Sequence, residues 1–584
     1  MRQRTRSTLS WVLFVVGMAA CLATAYGAYT LAGYAWDQVV SYRSPYIRPL
    51  DSPDATLTAI YEPPILEQNR APGPALSDRV VLVIVDGMRD DISRSAMPSL
   101  ETLRGYGSDL RLTAPQPSLS FPNWTTILTG ASQTYSGVTT NWYEGRVFAP
   151  TIMDSVAAAG KRVAVVGPTD FAELYGVKPG ANVSLRPWPK GGYLTSKLVD
   201  DALRISKETS PTLLVLHLPD LDEAGHSYGG ASPEYEAVAR KIDADLARLI
   251  SALQSDHTTF VVVADHGHID TGGHGGWESE VTTVPGVIAG ASAAMGVGTG
   301  NLDQVAATVA VIEGVPTPFY AAGTALASSI NTRTPSVFAA DLEHHARFVA
   351  NYVEVASQGT SSSVAWLGQH PQAGEADKAA RQVTERRLYI ERTQRAPIAL
   401  ITVAVVLGIM LVIGVVAWRA LVSALAGAAT YYLVYNVLFF LVHGYLWSLS
   451  AFNTETYVSA FMNGRMIEAI VAAIVGVAVA AVVYPFTRRL PHGSAERGFL
   501  SGWLALAPAT VLVIQGTLAL QVAWYFWRWG FEISWILPDF KWAFKADLDM
   551  VQMTALGAAA VLAPLVTYLI GRYHPKVRVR RTVS

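Results

Sequence analysis

Aspartates and histidines set at the ends of apolar runs are the first residues in this sequence that could do chemistry. Val81-Leu82-Val83-Ile84-Val85-Asp86-Gly87 reads as a buried strand that delivers a carboxylate to a sheet edge, where open α/β folds place their sites. A strand-ending aspartate serves equally as a helix cap or turn residue. Pro117-Ser118-Leu119-Ser120-Phe121-Pro122-Asn123-Trp124 sets Ser120 just ahead of a helical pattern that runs to Thr129-Gly130. A hydroxyl there faces free amides and the positive end of a helix, which favour a developing anion. The plainer role for Ser120 or Ser118 is that of an N-cap.

Leu218-Pro219-Asp220-Leu221-Asp222-Glu223-Ala224-Gly225-His226 carries Asp222 and His226 four residues apart with a glycine between them. The expectation is a turn that presents both to one metal ion. Val263-Ala264-Asp265-His266-Gly267-His268 ends another apolar strand, and Gly272-Gly273-His274-Gly275-Gly276 follows it. Six of the twelve histidines lie between His217 and His274, so their clustering points to metal rather than to scattered core or surface positions. The single cysteine, Cys21, excludes a thiolate site or an intrachain disulfide. Any metal must be held by Asp, His or a hydroxyl.

These residues need a scaffold, and the composition describes one in two parts. Hydrophobic residues make up 51% of the 584 and charged residues 15%, with mean hydropathy +0.27, which predicts membrane-spanning segments. The first eight residues carry Arg2, Arg4 and Arg6, and an apolar run over 9–36 follows, close to the ~20 residues needed to span. We read it as an uncleaved anchor; a cleaved signal peptide is the alternative, with small residues near 23–28.

Residues 37–396 have the composition of an α/β domain. Strands are expected over 79–85, 162–166, 212–216 and 259–264, and helices over 232–254 and 302–312. Such alternation implies a mainly parallel sheet covered on both faces. A charged helical stretch, 375–395, leads to five further apolar runs at 397–418, 421–446, 466–486, 499–526 and 549–570, then a basic tail, 571–584. Arg419, Arg488, Arg489, Arg497, Arg572, Lys576, Arg578, Arg580 and Arg581 fall on one side of these runs. Glu455, Glu532, Asp539, Asp547 and Asp549 fall on the other. The positive-inside rule then gives six spans, with both termini cytoplasmic and the α/β domain outside the cytoplasmic membrane. Trp524, Trp527, Trp529, Trp535 and Trp542 suit an interfacial belt. The net charge of −2 and the lack of a basic stripe speak against a nucleic-acid polymer as partner. Oligomeric state leaves no trace.

The four motifs together resemble the alkaline phosphatase superfamily, in particular its type I phosphodiesterase/nucleotide pyrophosphatase branch. That branch has a strand-ending Asp, a Thr or Ser before Phe-Pro-Asn, an Asp-x-x-Gly-His motif and an Asp-His-Gly. The segment Gly137-Val138-Thr139-Thr140-Asn141-Trp142-Tyr143 is also similar to the branch. The short spacing to His274 and the multi-span C-terminal region look more like the GPI ethanolamine-phosphate transferases. The resemblance implies an alkaline-phosphatase-like sheet sandwiched by helices, beside an α-helical transmembrane bundle.

It also implies two Zn²⁺ ions or other divalent cations. Asp222, His226 and His274 would hold one; Asp86, Asp265 and His266 would hold the other, with Ser120 bridging to it. Three protein ligands per zinc leave positions open for substrate. Ser120 would be the nucleophile and Asn123 a donor to a phosphoryl oxygen. Phe121, Trp142 and Tyr143 either line the leaving-group pocket or belong to the core.

The implied activity is phosphodiester cleavage or phospho-group transfer through phospho-Ser, on a lipid-linked or cell-surface substrate. Asn436, His443, Gln515, Gln521, Arg465 and Glu468 would either receive a lipid headgroup or hydrogen-bond between helices. A phosphomonoesterase is a second reading. A sulfatase is disfavoured, because Trp124 stands where that family has arginine. A transporter-like bundle with a non-catalytic outer domain is a third reading, against which no inverted repeat is detectable.

Overall fold

The computed structural model describes residues 2–47, 73–188, 192–334, 336–357, 373–452, 458–487, 496–533 and 536–573. Among these residues, eight strands form one sheet: β1 (Arg79–Val85), β2 (Gly107–Thr113), β3 (Val163–Pro168), β4 (Val183–Arg186), β5 (Leu213–Leu218), β6 (Thr258–Val263), β7 (Thr283–Gly290) and β8 (Gly296–Asn301). Their order is β4-β3-β5-β1-β6-β7-β2-β8, and only β7 runs against the rest. The central strands are apolar at almost every position because helices cover both faces: β5 and β6 are buried throughout, and β1 at six of seven positions.

The three strands whose ends carry acids and histidines are neighbours. β1 lies between β5 and β6, with Ile84 opposite His217 on one side and Val263 on the other. Strands stand about 4.8 Å apart, so residues that leave their carboxyl ends emerge side by side. This register brings together motifs that are scattered along the chain.

One helix end is tied across elements rather than locally. The helix Pro98–Gly105 has Met97 at its N-cap and no side-chain cap of its own. Asp243, buried in the helix Pro233–Leu253, accepts from the Ser99 and Leu100 amides at 3.0 Å. A carboxylate there satisfies orphan donors and meets the positive end of the helix.

Among the described residues, five helices are long and apolar enough to cross a membrane. They are Arg2–Val40, Ala373–Asn436, Val458–Thr487, Glu496–Arg528 and Phe540–Tyr573. Ala373–Asn436 contains the charged stretch and two of the expected runs, and it breaks at Ala417 (φ −148°, ψ 54°). Val406 lies against Gly516, and the Tyr432 hydroxyl is 2.9 Å from Thr517 Oγ1. In a straight helix those two residues would be about 39 Å apart. The chain therefore folds back at the break into two antiparallel halves. The second half ends in a π-helical turn, Val437–Val442.

The helices are longer than the apolar runs, because polar turns continue each one past its apolar stretch. The bundle holds Cys21 buried and unpaired with another thiol. Gln515 donates to the Cys21 and Met553 carbonyls at 3.1 and 3.2 Å, bonding between helices. Arg465 is 4% exposed, ion-paired with Glu468 at 2.7 Å and enclosed by Phe439, Tyr445 and Phe461; His443 shares Glu468. That geometry favours the interhelical role over an open headgroup site. Trp524 and Trp542 pack edge to face at 5.2 Å. Glu455, Arg488, Arg489, Trp535, Lys576, Arg578, Arg580 and Arg581 lie outside the described residues.

Removing the Asp243 carboxylate (Asp243→Ala) strands the buried Leu100 amide and the part-buried Ser99 amide and should cost about 1–3 kcal/mol. The detergent-solubilised chain is then expected to melt several degrees lower; an unchanged midpoint would show that water caps this helix as well as Asp243 does.

Candidate metal centre

Asp86 leaves the end of β1 and is fully buried. Its Oδ2 accepts from His217 Nε2 of β5 at 2.8 Å and from the Trp124 indole N–H at 3.2 Å. Its Oδ1 has no hydrogen-bond partner and lies 3.3 Å from His266 Nε2. Asp265, just beyond β6, is arranged the same way. Oδ1 accepts the Gly87 and His266 amides at 3.1 and 2.9 Å, while Oδ2 has no hydrogen-bond partner and stands 3.5 Å from His266 Nε2. Ser120 Oγ is 3.3 Å from the same nitrogen. One oxygen of each acid is thus used to fix the side chain, and the other is left facing a common point.

A second group adjoins the first. Asp222 and His226 lie on one face of the helix Asp220–Tyr228, four residues apart, so a helix replaces the expected turn. Helical geometry suffices because positions i and i+4 already share a face. Asp222 Oδ2 is 3.4 Å from His226 Nε2 and Asp222 Oδ1 is 3.7 Å from His274 Nε2; the two histidine nitrogens are 3.3 Å apart. His274 Nδ1 meets the Ser118 carbonyl at 3.1 Å. A carbonyl can only accept, so Nδ1 carries the hydrogen and Nε2 offers its lone pair to the group. His266 and His274 stack at 3.8 Å where the two groups meet.

Two histidines not assigned from the sequence belong here. His217 orients Asp86, and fully buried His268 places Nε2 2.9 Å from Asp222 Oδ1. His268 fits because Gly225 and Gly87 leave room: a Cβ on Gly225 would lie 2.4 Å from its ring. The signal for His268 was its place two residues after His266; His217 had none beyond its position in an apolar strand.

Ser120 is the first residue of the helix Ser120–Thr129. The N-cap is Leu119, which makes no side-chain cap bond, so neither Ser118 nor Ser120 caps the helix. Asn123 is buried and donates to the Asp265 carbonyl at 2.8 Å, with Ser118 Oγ at 3.4 Å, and accepts from Gln133 at 2.8 Å. It ties the Ser120 helix to the end of β6, in place of the expected open phosphoryl donor.

The segment 137–143 also braces. Asn141 accepts the Phe121 amide at 3.0 Å, Trp142 packs edge to face on Trp36 at 5.2 Å, and Tyr143 lies buried beneath the Arg43 guanidinium at 4.0 Å. Trp142 and Tyr143 thus face the end of the first long helix instead of lining a leaving-group pocket. Phe121 adjoins Ser120 and packs on Trp124 at 5.3 Å.

Burial, and then the repulsion of Asp86, pushes the Asp265 carboxyl up to about 8. Burial and Asp222 likewise raise Asp86. His266 is raised despite burial, because Asp265 and Asp86 face it. Two of the sealed carboxylates, Asp86 and Asp265, each keep an oxygen that no donor meets and are unstable as neighbouring anions unless a cation lies among them. Carboxylate oxygens and imidazole nitrogens are the donors that zinc-like divalent cations take. Asp86/Asp265/His266 and Asp222/His266/His274 each converge within 4.8 Å, as does Asp222/His226/His268. The residues present fit a paired divalent-cation centre.

Residues 80–279, about a third of the chain, match the family model described as type I phosphodiesterase / nucleotide pyrophosphatase. The human GPI ethanolamine phosphate transferase 2 catalytic subunit is 25% identical over 285 residues, 43% of this chain and 28% of that protein. The mouse GPI ethanolamine phosphate transferase 3 catalytic subunit is 26% identical over 231 residues, 35% of this chain and 21% of that protein. The chain thus spans less than a third of the length of these relatives. Among solved structures, murine ectonucleotide pyrophosphatase/phosphodiesterase 5 aligns at 14% identity and TM-score 0.36, covering 41% of this chain and 96% of that one. An alkaline phosphatase aligns at 12% identity and TM-score 0.39, covering 44% and 99%.

Zinc added to the metal-stripped full chain is expected to raise its melting temperature by mass action. His217→Ala, which removes the shorter of the two hydrogen bonds to Asp86 Oδ2, should weaken that response by about 10–100-fold in zinc concentration. An equal response from both proteins would show that His217 does not orient a ligand.

Proposed function

We propose that this chain is a membrane-anchored, zinc-dependent phosphodiesterase or phospho-group transferase that works through a covalent phospho-Ser on Ser120. The observation that carries the reading is the position of Ser120 Oγ: at a helix start, 3.3 Å from His266 Nε2, where buried acid oxygens without hydrogen-bond partners converge.

Bound cations would lower the pKa of the Ser120 hydroxyl and neutralise charge on the phosphoryl oxygens. Asp86, Asp265 and His266 would hold one cation, and Asp222, His226 and His274 the other; His268 adjoins Asp222. The chain's own work is positional. Ser120 Oγ forms a bond to phosphorus, the bond to the leaving alcohol breaks, and the serine proton ends on that alcohol. Water or an acceptor alcohol then attacks phosphorus, its proton is released, and Oγ leaves and is reprotonated. Trp124 and His217 keep Asp86 aimed throughout, and Asn123 keeps the Ser120 helix against Asp265.

A lipid-linked or cell-surface phosphodiester is the substrate class we favour. The support is the bundle itself and its direct hydrogen bonds to the loop after His274. The α/β domain meets the bundle at the end opposite Arg419 and Arg572, which supports a location outside the cytoplasmic membrane.

Purified full chain should cleave an aryl phosphodiester faster than the matching monoester or sulfate, lose that activity to a chelator and regain it with zinc. Ser120→Ala should lower kcat by at least about 10³-fold and abolish a mass-detectable phospho-Ser. Retained turnover in Ser120→Ala would contradict the covalent route, and a preference for the monoester would select the phosphomonoesterase reading.

A further inference from the structure

The loop that joins two membrane helices reaches the metal centre. It leaves the π-helical turn Val437–Val442, contains a short 3₁₀ turn, Leu449–Ala451, and lies against the glycine-rich loop that bears His274. The Gly276 amide donates to Ser450 Oγ at 3.0 Å, and Ser450 Oγ donates to Glu278 Oε2 at 2.9 Å. The Trp277 indole N–H donates to the Trp447 carbonyl at 2.9 Å. Ser448, Ser450 and Glu278 are all at least nine-tenths buried.

The fit leaves no room for side chains. Gly275 adopts φ +99°, with Leu449 close by, and a Cβ on Gly276 would fall 1.8 Å from Ser448 Oγ. The same loop is anchored inside the bundle, where Tyr445 lies 4.7 Å beneath Arg465 and His443 pairs with Glu468 at 2.7 Å.

On the other side, Gly275 bridges to Ser118, and the Ser118 carbonyl holds His274 Nδ1. His274 is therefore clamped between the Ser120 segment and the membrane bundle. A ring held from one side only would sweep its Nε2 through positions away from Asp222 and His226, so both contacts are needed to keep it aimed.

We propose that the loop 445–452 is a structural part of the metal centre, with Ser450 and Trp447 as positioning residues that set the cation affinity of the site containing His274. The inference rests on the two-cation reading above. It gives the membrane bundle a task beyond anchoring, since a shift of these helices would be felt at a ligand.

The test is zinc affinity of the full chain in detergent, by competition with a chromophoric chelator, alongside the melting temperature of the metal-free protein. Ser450→Ala and Trp277→Phe each remove one tie, the first with almost no change of volume and the second keeping an aromatic ring in place. Each should weaken one zinc equivalent by about 10-fold and leave the metal-free melting temperature within a few degrees of wild type. Ser423→Ala, which deletes a buried hydroxyl at the far end of the bundle, should bind zinc as wild type does. Unchanged affinity in both clamp variants would overturn the proposal, as would an equal loss in Ser423→Ala. A wild-type chain that takes up no zinc would sink the two-cation reading itself, and the clamp with it.

Discussion

Three carboxylates sealed away from water, within reach of one another, are the constraint around which this protein is organised. Asp86, Asp222 and Asp265 are each at most 3% exposed, and two of them have an oxygen that no donor meets. Burying an unpaired charge costs several kcal/mol, a large share of the about 5–15 kcal/mol by which a fold is stable. Every neighbouring feature is understandable as a way of holding these groups still while leaving one side of each open. His217 and Trp124 occupy one Asp86 oxygen, and the Gly87 and His266 amides occupy one Asp265 oxygen.

The sheet makes that crowding achievable. Because β5, β1 and β6 are adjacent and parallel, their following residues emerge together, and glycines let the loops approach. Gly87 adopts φ +71°, and a Cβ there would lie 2.8 Å from the Asp222 backbone. Gly267 stands against the Glu280 carbonyl, where a Cβ would come within 2.0 Å. Those positions require glycine for close approach of backbone, so the Gly-rich character of the motifs follows from packing as much as from chemistry.

Much of this was readable from residue types and spacing. Apolar runs that end in Asp86 and Asp265 are strands because continuous Val, Ile and Leu suit a sheet covered on both faces. The motifs also named most of the converging side chains. What spacing could not supply was the contact partner of each group. Asp222 and His226 read as a turn because Gly225 lowers helix propensity, yet the glycine serves to admit the His268 ring. His217 was invisible in β5, where any buried residue would satisfy the pattern. Trp142 and Tyr143 suggested an aromatic pocket, but their partners, Trp36 and Arg43, come from a distant segment that no local pattern links to them. The clamp from Trp447 and Ser450 was hidden for the same reason: some 170 residues separate it from the loop it holds.

Anomalous diffraction at the zinc edge, from crystals of the full chain, would show whether these side chains grip a pair of divalent cations. Two peaks about 3.5–4 Å apart are expected, one beside Asp86, Asp265, His266 and Ser120, the other beside Asp222, His226 and His274. A map with no peak among these residues, in crystals grown with zinc, would contradict a paired-cation centre.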